Sequence, residues 1–217
     1  MRALFLAIAL ATLTAAAQGE PDPVFKVDFS NPGLTPARWT LEFRPDGSGH
    51  FRSERGDAAG QDPKLIQIGN IDRDVHVSPK FAEHAFEVAQ HHKYFRSECE
   101  SHLKVAFQGL KKLSYTGPKG EGACEFNYSK DTEIQSLGDS LVAVATTLIE
   151  GARLEVLLQH DPLGLDQEIQ NVKEAADDGR AQQIGSIRPI LERLSEDPAV
   201  LERVRKRAKA LLAHADQ

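Results

Sequence analysis

The chain has 217 residues, 41% hydrophobic and 27% charged, with a formal net charge of −6. That balance is globular, and it argues against a general polyanion binder, whose affinity rests on concentrated Lys and Arg. No nucleic-acid partner is expected. The length suits one ordinary domain with an appendage, or two small ones.

Residues 1–17 carry the pattern of a cleaved export signal: Met1-Arg2, an apolar run over 3–13, then Ala15-Ala16-Ala17. The run falls short of the roughly 20 apolar residues that span a bilayer. The mature chain is expected to begin near Gln18, in a secreted or periplasmic setting, with no later membrane-spanning segment. In such a compartment Cys99 and Cys124, the two cysteines present, read as a disulfide.

Residues 18–36 hold four prolines (Pro21, Pro23, Pro32, Pro36) and one short expected strand, 24–29. A hairpin follows: Trp39, Leu41 and Phe43 alternate with polar residues, 45–49 supplies the turn, and 50–54 returns. Residues 56–70 read as loop apart from the run 65–68. Residues 70–74 share polar spacing with the opening of a calcium loop, but Val75 and Phe81 stand where that loop needs glycine and glutamate. They are read as a turn into a helix. Ser78-Pro79 forms a cap-plus-proline start, and Phe81, Ala85, Val88, His92 and Phe95 make one stripe, predicting a helix over 79–93. Strands are expected at 102–107, 111–116 and 122–128, the last two flanking a glycine-rich turn at 117–121.

From Asp131 the period becomes helical. Ile134, Leu137, Leu141, Ala145, Leu148 and Ala152 line one face, Gly151 is a weak point or stop, and Pro162 sets the limit. Three shorter helices are expected: 166–176, 180–194 (kinked or split at Pro189) and 198–214, the last starting at Asp197-Pro198. The fold class is therefore α+β. An antiparallel sheet built from hairpins is packed by one or two amphipathic helices and followed by a C-terminal helical bundle. The expected organisation is a signal peptide over 1–17, an α+β domain over 18–160 with the Cys99–Cys124 bridge, and a helical extension or subdomain over 161–217.

Gly138-Asp139-Ser140-Leu141 resembles the block that names the GDSL serine lipases and esterases, where the serine is the nucleophile and a late Asp-x-x-His supplies its base. Here the block lies mid-chain within a helical pattern, and the chain contains no Asp-x-x-His. The residues are read as helix surface. His84, His91, His92 and His102 cluster in sequence. His84 and His91 share a helix face, yet the His-x3-His spacing usual for zinc on a helix does not occur. Arg203, Arg205, Lys206, Arg207 and Lys209 make the last helix basic, with counter-charges expected from Glu168, Glu174, Asp177 and Asp178. Asn127-Tyr128-Ser129 fits an N-glycosylation sequon.

No catalytic, cofactor or metal residues are assigned. The reading is an exported soluble binding or interaction protein that meets a macromolecular partner through its sheet or helical tail. The alternatives are a secreted hydrolase with a non-motif active site, drawing on Ser140, Asp139 and the histidines, or a metal-binding protein using His84, His91 and His92.

Overall fold

In the computed structural model, residues 22–56 and 68–215 are described; the expected signal segment and the 57–67 stretch, with most of the run expected at 65–68, lie outside them. Six strands form one antiparallel sheet in the order β4-β3-β2-β1-β5-β6. They are β1 Val24–Ser30, β2 Arg38–Phe43, β3 Ser48–Glu54, β4 Ile71–His76, β5 Leu110–Gly117 and β6 Gly120–Phe126. Alternation decides which face is covered. One row across the sheet reads Gly49–Phe43–Phe25–Tyr115–Gly122, and the next reads Phe51–Leu41–Val27–Leu113–Cys124. Every non-glycine member of both rows is buried.

Among the described residues no helix covers the opposite face, which is polar. There Asp72, Arg52, Thr40, Asp28, Lys112 and Glu125 stand in a row, one per strand. Neighbours neutralise one another: Arg52 pairs with Asp72 at 2.9 Å and Lys26 with Asp28 at 3.1 Å, and Thr40 donates to Asp28 at 2.7 Å. His50 sits between Asp72 (2.7 Å) and Asp74 (2.9 Å). Hydrogen bonds to Asp74 and then Asp72 raise its pKa above the usual histidine value.

Both α1 (Pro79–His91) and α2 (Thr132–His160) pack on the apolar face. Ser78 caps α1 by accepting from the Phe81 amide, and Asp131 caps α2 through the amides of Glu133 and Ile134. Such caps are each worth about 1 kcal/mol. Two polar residues on the covered side of the sheet anchor α2. Lys111 of β5 lies 3.8 Å from Asp139, and Arg73 of β4 makes a two-pronged bond to Glu155 at 2.9 Å. Sixteen helical residues span about 24 Å, and four strand spacings about 19 Å, so α2 crosses the sheet obliquely from β5 to β4. Gly138 permits the approach, because a Cβ there would come within 2.8 Å of Phe126 and 3.0 Å of Lys111.

Several expectations are corrected. Residues 71–76 form the edge strand β4 rather than a turn; Ile71 and Val75 are buried while Asp72 and Asp74 face solvent. Charge on an edge strand discourages pairing with another chain. No strand forms at 102–107, where all six residues are exposed. The α1 stripe ends at His91, and Phe95 reaches the core only because the backbone turns left-handed after His92. Gly151 does not stop α2; it lets Ile187 pack against the helix backbone.

The C-terminal helices are α3 Leu165–Asp177, α4 Arg188–Glu196 and α5 Glu202–Ala215. A short 3-10 turn, Ile184–Ile187, precedes α4, so the chain splits as Pro189 requires. Asp197-Pro198 does not start the last helix. Asp197 instead accepts from Ala199 in a turn that buries Val200, and α5 begins later. Arg203 and Arg207 of α5 pair with Asp166, which replaces the expected acidic partners. Glu168 pairs with Arg153, Glu174 accepts from Gln170, and Asp177 and Asp178 pair with Lys173 and Arg180. Buried side chains from Phe25 to Leu211 make one continuous cluster.

Candidate functional site

A groove of about 660 Å³ opens at one end of the sheet, walled by α1, the entry to β1, and the β2–β3 and β5–β6 turns. Its floor begins with Tyr115, whose ring stacks on Tyr94 at 4.7 Å and meets Phe86 edge-on at 5.9 Å. Phe86 also stands edge-on to Phe25 and Phe43, which ties the groove to the sheet core. Four prolines form the walls: Pro23 before β1, Pro45 and Pro118 in the two turns, and Pro79 in the first turn of α1. The rim on α1 carries Glu83, Glu87 and Gln90, and Lys119 stands on the hairpin side. Burial, then the neighbouring Tyr94, pushes the Tyr115 phenol above the usual tyrosine range.

The local sequence explains the geometry. Lys93, Tyr94 and Phe95 all have positive φ (53°, 59° and 61°). Left-handed helical backbone costs non-glycine residues about 1–2 kcal/mol each, and such strain persists where surrounding structure over-determines it. Here Phe95 is fully buried, and its ring meets Phe25 at 5.8 Å. The strained turn lies flat on the β5–β6 hairpin because the hairpin is glycine-rich. A Cβ on Gly120 would come within 3.0 Å of the Tyr94 ring, and one on Gly122 would strike the Tyr94 carbonyl. Arg96 donates to the Glu121 carbonyl at 2.9 Å, closing the outer edge of β6. Cys99 and Cys124 are joined, with Cα atoms 5.6 Å apart, fastening the exit of the turn to β6.

The residues singled out from the sequence lie elsewhere. His91 and His92 both reach Glu133, at 3.4 and 2.8 Å, and the bond from His92 is the main cause that lowers the Glu133 pKa. His84 faces a different depression, shared with Ser140, Gln182 and Gln183, and makes no hydrogen bond to Ser140. The structure therefore does not bring His84, His91 and His92 together. Among the described residues no group of three His, Cys, Asp or Glu side chains is arranged to hold a metal ion. His102 pairs with Glu98. Asp139 accepts from Gln135 with both oxygens and faces Lys111, so it does not orient a base for Ser140. The Asn127 side chain bonds the backbone of Ala106 and Gln108, and its carbonyl accepts from Lys111.

Lys111 was missed at the sequence level. It is 2% exposed, and burial lowers its pKa against the opposing pull of Asp139. The groove was missed as well, because its four prolines and three aromatics are scattered over 96 residues of chain, from 23 to 118. The one local signal was Glu83 and Glu87, a like-charged pair one helical turn apart. No protein-family model and no curated protein sequence matches the chain.

Proposed function

We propose that this is an exported, non-catalytic binding protein, and that its ligand lies in the groove beneath α1. The observation that carries the reading is the left-handed turn at residues 93–95, which holds Tyr94 against Tyr115 at backbone cost and completes an aromatic wall. Strain of this kind collects at ligand sites. A concave, mainly apolar surface with a few polar groups on its rim is the usual form of a binding pocket. The open sheet face and the α5 tail offer less, because much of their charge is matched internally. Export rests on the signal-like residues 1–17. A disulfide and the lack, among the described residues, of a helix long and apolar enough to cross a membrane accord with it.

The test is nuclear magnetic resonance of the mature chain titrated with short proline-containing peptides. The ring signals of Phe86, Tyr94 and Tyr115 should move together while those of Trp39, buried farther along the sheet, stay fixed. Ring signals that ignore every peptide would overturn this reading. Stoichiometric labelling of Ser140 by a fluorophosphonate probe would replace it with a hydrolase.

A further inference from the structure

We infer that the groove takes a cationic, extended peptide segment, with a Lys or Arg side chain lying between Glu83 and Glu87 and prolyl or aliphatic neighbours packed on Tyr94 and Phe86. The inference rests on the groove being the ligand site and adds the chemistry of its occupant.

Charge complementarity carries it. Among the described residues every carboxylate of α2, α3 and α5 has a hydrogen-bond or ion-pair partner, and the unpaired Glu42, Glu54, Glu125 and Glu196 lie outside the groove. On α1 neither Glu83 nor Glu87 has one. Lys80, His84 and His91 stand within one turn on the same helix, yet none pairs with them. Like charges spaced i, i+4 disfavour a helix, so this pair does nothing for the fold itself. Both carboxylates line the groove, and a guanidinium or ammonium between them would also lie beside the aromatic wall, where cation–π attraction adds to the ion pair.

The walls restrict the backbone of the occupant. Pro23, Pro45, Pro79 and Pro118 have no amide hydrogen, so these positions give a ligand no donor for a β-ladder. Recognition falls to ring faces and carboxylates, which suits a preformed extended segment of the polyproline type. Lys119 across the groove supplies the opposite charge and gives the occupant a direction.

Calorimetry with three peptides of equal length decides the matter: alternating Pro/Arg, oligoproline, and alternating Pro/Glu. The Pro/Arg peptide should bind about tenfold more tightly than oligoproline at low salt and lose that advantage as salt rises to about 0.5 M. The Glu83→Gln/Glu87→Gln variant should lose the preference while oligoproline still moves the Tyr94 and Phe86 ring signals. A control, Glu42→Gln/Glu125→Gln on the open sheet face, should keep it. Equal binding of the Pro/Arg peptide and oligoproline would overturn the cationic assignment and leave the groove standing. A neutral oligosaccharide that outcompetes every peptide would overturn the peptide class. No ring response to any probe would remove the groove reading as well.

Discussion

Two carboxylate pairs, one between α2 and α3 and one on α1, show what burial does to the same chemistry. Between α2 and α3, Glu150 and Glu168 share Arg153, whose guanidinium lies 3.3 and 3.5 Å from them. Burial, then the hydrogen bond with Glu168, raises the Glu150 pKa from 4.5 to about 8. On α1, Glu83 and Glu87 are exposed and have no cation. The first pair is tied to protonation and stability; the second leaves stability almost untouched and is available to a ligand. Desolvation separates them, since it penalises charge in the interior and is absent at the surface.

The comparison breaks most sharply at Arg153. Arg153→Ala leaves the buried Glu168 and the half-buried Glu150 without their cation and should cost about 1–3 kcal/mol near pH 8. The loss should be smaller near pH 5, where Glu150 is protonated. Urea melts at both pH values give the difference, and equal losses would show that the pair does not carry charge as described.

Reduction of the Cys99–Cys124 bridge acts on the strained turn and β6. It frees a loop with a sequence separation of 25 residues and should cost about 3 kcal/mol on the chain-entropy model. Hydrogen exchange should quicken first around residues 93–99 and in β6, while α3 and α5 keep their protection. Uniform loosening would mean that the bridge does not specifically hold the strained turn.

Glu150 also sets a pH dependence. Its folded pKa lies above its unfolded value, so its contribution is fully present below about pH 4.5 and lost as pH rises to about 8. The steepest part of that loss is about 1.4 kcal/mol per pH unit. Glu150→Gln should flatten stability across this window and leave the variant the more stable protein above it. A denaturation series against pH that is unchanged by the substitution would remove Glu150 from the account.

The smallest effects belong to the exposed pair and to Ser140. Glu87→Lys replaces a like-charged neighbour of Glu83 by an opposite one and should stabilise by about 0.2–0.5 kcal/mol. The same change should abolish the preference for cationic peptides. Ser140→Ala should alter stability by less than about 0.5 kcal/mol, and thermal melts of both variants check these signs.

Much of the fold was legible because it depends on local pattern. The Trp39–Leu41–Phe43 alternation placed the first hairpin, and the Ile134-to-Ala152 stripe placed α2. Ser78 lies at a helix start where its side chain can accept a backbone amide, whereas the same cap-plus-proline pattern at Asp197-Pro198 misplaced the start of α5. β4 escaped because half of its sequence, IDRDVH, is charged; only its place beside β3 makes Ile71 and Val75 core residues. The expected strand at 102–107 failed for the converse reason. Leu103, Val105 and Phe107 alternate correctly, but no neighbouring strand pairs with them, and they remain 42–57% exposed.

By itself the sequence determined the α+β class, the hairpins, the Ser78 cap and the pairing of the two cysteines, because each follows from contacts between near neighbours or from a choice with one answer. Tertiary structure alone decided the groove, the burial of Lys111 and the fates of the carboxylates. Side chains from residues 23 to 119 converge in that groove only after the sheet has formed and α1 has packed across it. Whether a glutamate finds a cation, loses water or stays free depends on what the fold brings beside it. Spacing along the chain does not encode that distance.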